Sequence, residues 1–150
     1  MKSCCTTHLN SVGLLILRLG FGGYMITHGW PKFQMLMRRE FDQFPDPLGI
    51  GNTMSLIGAA GAEFVCAVLV LVGLATRFAA IPIVFTMGVA AFIVHSDDPW
   101  TMGSGASKEP ALLFLTAFLA IALTGPGRIS LDHLIFSKRL AAVKPAPKSE

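Results

Sequence analysis

Four long apolar stretches alternate with shorter polar segments along this chain. They occupy residues 12–30, 54–74, 78–94 and 111–124. Arg18 and Glu63 are the only Asp, Glu, Lys or Arg residues within them. A helix of about 20 residues, rising ~1.5 Å per residue, crosses a hydrocarbon layer of ~30 Å. The pattern therefore predicts an all-α fold, an integral membrane four-helix bundle with antiparallel, up-down helices.

The predicted transmembrane domain covers residues 12–132, with cytoplasmic segments 1–11 and 133–150 at its ends. Its helices are expected at about 12–30, 54–74, 78–95 and 109–124. The first stretch is interpreted as a helix and not as a cleaved signal peptide, because Arg18 interrupts it and no A-x-A-like site follows. The fourth is short enough for a buried or re-entrant helix, although Lys108 and Glu109 can snorkel and add a turn.

The connections between these stretches carry further predictions. Residues 73–77 leave room only for a tight turn, so the second and third helices should be antiparallel neighbours. The loop 31–53 is long, which is typical of a functional lid but also fits a passive surface loop. After Gly125, Pro126 and Gly127 end the fourth helix, Ser130 can cap a short interfacial helix. That helix would present the apolar residues Leu131, Leu134, Ile135 and Leu140.

Composition and charge narrow the class of protein. The chain is 53% hydrophobic and 14% charged, with a mean hydropathy of +0.61, which argues against a soluble or a disordered chain. One predicted face carries Lys2, Arg77, Arg128, Lys138, Arg139, Lys144 and Lys148. The other carries Lys32, Arg38, Arg39 and Lys108. This bias predicts a multi-pass protein of the cell (inner) membrane with both termini in the cytoplasm. The net charge of +3 then reflects a basic cytoplasmic face, which suits contact with anionic lipid and gives no evidence of nucleic-acid binding.

The two charged residues inside the apolar stretches are the first site candidates. A charge at the bilayer centre costs about 2.5 to 3.5 kcal/mol on insertion scales, so it needs a partner or a wet cavity. Counted from the cytoplasmic helix ends, Arg18 lies ~10 Å deep and Glu63 ~15 Å deep. We expect Arg18 to support Glu63, either beside a substrate or proton site or as a purely structural pair.

A second group of polar residues is expected at the outer helix ends. His28 and His95 close their helices there, and Lys108 and Glu109 begin the fourth helix at the same level. With Glu63 below them they form a candidate polar site in which a histidine passes protons near neutral pH. The alternative is that both histidines simply meet water and headgroups. Two histidines without a ligand motif are weak support for haem or another metal, so no metal site is predicted.

The cysteines and small residues add no chemistry of their own. Cys4, Cys5 and Cys66 include no C-x-x-C pair, which disfavours thiol oxidoreductase chemistry of the paired-cysteine type. Glycine and alanine are dense in the first two helices, as close packing between membrane helices requires.

Five segments in succession resemble the DoxX family of small four-helix membrane proteins. They read LLILRLGFGGYMITHGWPKF (14–33), FPDPLGIG (44–51), AEFVCAVLVLVGLATRFAA (62–80), AAFIVHSDDPW (90–100) and LTGPGRISLD (123–132). The residues carried over by position are Arg18, His28, Glu63, Arg77 and His95. Members of this family are mostly bacterial. The family takes its name from subunits associated with a thiosulfate:quinone oxidoreductase in archaea, and other members have been linked to oxidative-stress complexes. The resemblance therefore leads us to expect an association with redox systems. It transfers no family-wide catalytic role.

Three classes of function follow from this reading. The first is a subunit or accessory of a membrane redox system, more an oxidoreductase partner than an enzyme by itself, which handles a quinone or another small lipophilic molecule. The second is a non-enzymatic membrane scaffold that binds partners. The third is a small proton- or solute-conducting module, for which four helices would require a homo-oligomer. Membrane lipid is a partner in all three.

Overall fold

The computed structural model describes residues 2–103 and 105–135, with side chains from residue 8 onward. These residues form helices, turns and loops, and no strand occurs among them. The helices are α1 (Lys2–Arg38), α2 (Asn52–Val72), α3 (Thr76–Val94) and α4 (Glu109–Thr124). A single 3-10 turn, Phe41–Gln43, lies in the loop after α1.

Two of these helices contain a wider π-helical segment. In α2 it spans Gly61–Cys66, and in α3 it spans Ala90–Val94 at the end of the helix. A π-helical turn inserts an extra residue and redirects the side chains around it, and such turns are frequent at functional sites. One segment contains Glu63, and the other leads directly into His95.

Among the described residues, three helices are long and apolar enough to cross a membrane. They are the part of α1 from residue 8 onward, together with α2 and α3, whereas α4 is apolar but only 16 residues long. Their outer faces carry large exposed apolar side chains such as Phe78 (79% exposed) and Phe85 (62%). Lipid is the solvent that such a surface fits.

The first helix is longer than the 19 residues predicted for it. It continues through Pro31 to Arg38 and begins at Lys2, so the predicted end at residue 30 and the predicted long loop from Pro31 are wrong. Proline is tolerated inside membrane helices where neighbouring helices hold the chain. Here the Phe33 ring stacks on Phe64 of α2 at a centroid distance of 4.6 Å, and the Trp30 ring lies tilted against it at 5.4 Å. These contacts hold α1 on both sides of Pro31. The other three helices lie within two residues of their predicted bounds.

The register between α1 and α2 follows from small residues. A Cβ at Gly22 would lie 3.3 Å from the Leu71 side chain, and one at Gly29 would press into the backbone at Glu63 and Phe64. Residues later in α1 therefore contact residues earlier in α2. Between these helices and α3 and α4 lies a core cluster of Met25, Ala67, Val70, Ala79, Ala80, Ile83, Met87, Phe118 and Ile121.

The turn between α2 and α3 is held by the segment after α4. Gly73 has a φ of 77°, and its carbonyl accepts a hydrogen bond from the Asp132 amide at 2.8 Å. The Asp132 carboxylate accepts in turn from the Ala75 and Thr76 amides, at 2.7 and 3.0 Å, which caps the start of α3. Residues 131–135 are helical, but the remainder of the predicted interfacial helix, including Leu140, lies outside the described residues.

Candidate functional site

An ion pair between α1 and α2 lies at the centre of the candidate site. The Lys32 ammonium donates to both carboxylate oxygens of Glu63. The Glu63 side chain is 3% exposed and that of Lys32 is 29% exposed. A carboxylate this deeply buried needs a charged partner, and the continuation of α1 past Pro31 supplies it.

The close approach that allows this pair depends on Gly29. A Cβ at this position would lie 2.6 Å from the Phe64 nitrogen and 2.5 Å from the Glu63 carbonyl oxygen. Only glycine lets the two backbones meet at this distance. The π-helical segment of α2 therefore rests directly against α1, one turn before Lys32.

An apolar cavity of about 380 Å³ opens on one side of the ion pair. Apolar side chains from the loop after α1 and from α2 and α3 line most of it: Phe44, Pro45, Pro47, Leu48, Ile50, Met54, Pro82, Phe85, Val89 and Val94. Its polar lining is restricted to Lys32, Ser55, Glu63, Thr86 and His95. We call it the lipophilic cavity. Its volume lies in the ~300–1,000 Å³ range of small-molecule sites, and a few polar groups in an apolar wall are typical of them.

A second cavity, of about 320 Å³, shares a wall with the first. Lys32, Glu63, Ala90 and His95 line both cavities. The rest of its lining comes from α1, α3, the start of α4, Met102 and residues 105–107, and it includes His28 and Ser107. The Ser107 side chain is buried, and its hydroxyl has no hydrogen-bond partner among the residues described. We call this space the polar cavity.

His95 is oriented by its neighbour Asp98. The Nδ1 atom of His95 lies 2.7 Å from a carboxylate oxygen of Asp98. An ionised carboxylate only accepts, so Nδ1 carries the proton and Nε2 is the ring nitrogen left for the cavities.

The structure brings together some of the predicted site residues and separates the others. Glu63 and His95 line both cavities, and His28 lines the polar cavity. Lys108 instead donates to the Ser96 carbonyl at 2.7 Å and lies over the Trp100 ring. The Glu109 carboxylate accepts from the Met102 amide. Both hold the loop before α4 and line neither cavity.

The predicted support of Glu63 by Arg18 is wrong. Arg18 is 1% exposed, and its guanidinium donates to four carbonyl oxygens, those of Val70, Leu71, Pro126 and Ile129, at 2.6 to 3.1 Å. The register explains this, because Gly29, and not Arg18, faces Glu63. Arg18 therefore joins the end of α2 to the segment after α4.

Lys32 is the site residue that the sequence reasoning missed. It falls in the predicted loop 31–53, just after the apolar stretch that ends at residue 30. The available signal is its spacing: Lys32 follows His28 by four residues, so a helix that continues past Pro31 places both on one face.

Within the described part of the chain, no group of three or more His, Cys, Asp or Glu residues could hold a metal ion.

Comparison with known proteins identifies the family. A profile described as DoxX matches residues 13–96, more than half of the chain, and this range includes the ion pair and both site histidines. The chain belongs to the DoxX family. The resemblance seen in the sequence is thereby confirmed.

Several relatives of this DoxX protein match along most of their length. An uncharacterized protein of Haemophilus influenzae is 30% identical over 90% of this chain and 91% of its own length. "Putative oxidoreductase CatD" of Bacillus subtilis is 33% identical over 83% of this chain and 88% of its own. Inner membrane protein YqjF of Escherichia coli is 30% identical over 87% of this chain and 97% of its own length. No solved structure gives a significant match.

Proposed function

We propose that this DoxX protein binds a quinone, or another small lipophilic molecule with carbonyl-type acceptors, in the lipophilic cavity, as a subunit or accessory of a membrane redox system. The observation that carries the proposal is an apolar cavity with an ion pair in its wall. The ring and tail of such a ligand fit the apolar lining. Its oxygen atom accepts a hydrogen bond from the Lys32 ammonium, which presents three donors.

The redox part of the proposal draws on the relatives. One of them is named as an oxidoreductase, and another as an inner membrane protein. We infer the same membrane for this chain, with α4 as a fourth span, an antiparallel up-down arrangement and both termini in the cytoplasm. The excess of Lys and Arg residues on the predicted cytoplasmic face supports this orientation. Of the four on the other face, Lys32 and Arg38 lie in α1, and Arg39 and Lys108 lie in loops.

Ligand binding is tested on protein purified in mild detergent, with a short-chain ubiquinone as the probe and equilibrium dialysis as the measurement. Lys32→Met removes the donor but keeps a stem of similar length, and Lys108→Met is the matched control outside both cavities. We expect Lys32→Met to weaken binding at least tenfold, which corresponds to about 1.4 kcal/mol, and Lys108→Met to leave it unchanged.

A double variant separates binding from folding. Lys32→Met with Glu63→Gln removes both charges, so no uncompensated carboxylate remains in the interior. If this folded double variant, or Lys32→Met itself, binds the quinone as tightly as the Lys108→Met control, the lipophilic cavity is not the binding site.

A further inference from the structure

We propose that the polar cavity is a hydrated compartment through which Glu63 exchanges protons with water, on the side of the ion pair away from the lipophilic cavity. This deepens the proposed function, because it adds a proton supply to the same ion pair and rests on the same site. Its test needs no lipophilic ligand.

The first observation is the unpaired Ser107 hydroxyl. It is buried in the wall of the polar cavity and has no partner within residues 8–103 and 105–135. A buried hydroxyl left unpaired costs about 1–3 kcal/mol. Water both donates and accepts, so it satisfies this group, whereas an apolar ligand does not.

The second observation is the difference between the two linings. Five polar side chains line each cavity, but those of the polar cavity include both imidazoles and the unpaired Ser107 hydroxyl. Fewer large apolar side chains accompany them than the ten of the lipophilic cavity: Met25, Met87, Met102, Pro110 and Phe114. A buried water needs two to four polar partners and about 30 Å³. A volume of about 320 Å³ with these groups therefore accommodates several waters in hydrogen-bonded contact.

The charged and titratable groups around Glu63 favour this side for proton exchange. Helix α1 contributes Lys32 and His28, and α3 contributes His95, which Asp98 holds. At the start of α4, Lys108 and Glu109 are bound to loop backbone atoms. Glu63 thus has a cationic partner and shares the lining of the polar cavity with two imidazoles.

The proton step is a simple transfer. A hydronium ion in the polar cavity gives its proton to a Glu63 carboxylate oxygen and becomes water. The neutral carboxyl no longer holds the Lys32 ammonium as an ion pair, so the ammonium is free to reach a ligand acceptor in the lipophilic cavity. The reverse step returns the proton to water in the polar cavity.

The experiment fills each cavity in turn. Ala111 lines the polar cavity and Ala59 the lipophilic cavity, and they are 8% and 9% exposed. After a jump to acid pH, infrared spectroscopy follows the protonated carboxyl band of Glu63, assigned by its absence in Glu63→Gln. We expect Ala111→Phe to slow the appearance of this band at least tenfold, and Ala59→Phe to leave its rate unchanged. Equal rates in the two variants, slowing by Ala59→Phe alone, or no Glu63 band would overturn the proposal.

A second measurement avoids large side chains, in case either phenylalanine prevents folding. Cys4, Cys5 and Cys66 are replaced by serine, and a single cysteine is placed at residue 111 or at residue 59. A cationic, water-soluble thiol reagent should label the Ala111→Cys variant at least tenfold faster than the Ala59→Cys variant. Equal labelling, or the opposite order, would refute a hydrated polar cavity. Quinone binding is measured separately, so its failure with this order intact would reject only the lipophilic ligand.

Discussion

Two cations on the same helix, the buried Arg18 and the half-buried Lys32, have different partners. They are fourteen residues apart, about 21 Å along α1. Arg18 donates to four backbone carbonyls. Lys32 has one carboxylate as its partner and borders two cavities. Carbonyl oxygens do not titrate, so the Arg18 contacts stay fixed, whereas a Lys–Glu pair is able to gain or lose a proton. The first is therefore a structural joint and the second is suited to function.

The largest expected effect is at the structural joint. Arg18→Met leaves four carbonyls without their donor, and we expect a loss of about 4 kcal/mol in the free energy of unfolding. Arg18→Lys should recover less than half of it, because an ammonium lacks the planar fork of donors. The measurement is denaturant unfolding in detergent, followed by circular dichroism. Full recovery with lysine would contradict the importance of the fork geometry.

The ion pair should behave differently when both partners are removed. We expect Lys32→Met alone to cost about 3 kcal/mol, because it strands a buried carboxylate. The double variant Lys32→Met with Glu63→Leu should return to within about 1 kcal/mol of the native protein, since apolar replacements of buried pairs are often neutral. The same unfolding measurement gives the coupling free energy. Additive losses in the double variant would mean that the two side chains do not stabilise each other.

The close helix contact at the functional end is tested at Gly29. A Cβ there meets the backbone of α2, so Gly29→Ala should cost about 2 kcal/mol and weaken quinone binding. Gly23→Ala is the matched control, because nothing lies within 4 Å of its added Cβ. Alanine favours helix over glycine, so this control should be neutral or more stable. A similar loss in both variants would indicate a general effect of glycine replacement.

The smallest effect is expected in the loop that covers the lipophilic cavity. The Ser55 hydroxyl and the Gly51 and Ile50 amides donate to the Asp46 carboxylate and lower its pKa. A lowered pKa means that the folded loop favours the ionised form. Its contribution is present above about pH 4 and is lost as the pH falls through the folded value. The protection of the Gly51 amide against hydrogen exchange, relative to the intrinsic rate at each pH, should therefore fall in acid, and the Asp46→Asn variant should lack this fall. A fall of equal size in the variant would assign the pH dependence to another group.

The sequence was most informative where local pattern decides structure. Long apolar runs predicted four helices, three of which are long and apolar enough to span a membrane in the described residues, and the bounds of α2 and α3 lie within two residues of those predicted. The short segment 73–77 predicted the turn between them, and in the structure Gly73 ends α2 with a left-handed φ. The predicted end of the first helix at residue 30 was wrong, because α1 continues past Pro31, where Trp30 and Phe33 contact Phe64 of α2.

The candidate site was predictable only in part. Glu63, His28 and His95 could be identified as candidates because a polar residue in an apolar helix needs a polar partner or a water-filled cavity. Their partners could not, because a carboxylate pairs with whichever cation the helix register brings to it. That register depends on which glycines allow the backbones to touch, and the density of small residues along α1 and α2 admits several.

The sequence by itself determined the membrane character, the family and three polar residues that line the cavities, because each depends on composition or on short spacings. Only the tertiary structure decided that Lys32 pairs with Glu63, that Arg18 binds carbonyls, and that two cavities meet at the ion pair. These features depend on distances between residues remote in the chain. Such distances are set by how the helices pack, through contacts such as that of Gly29 with the backbone of α2.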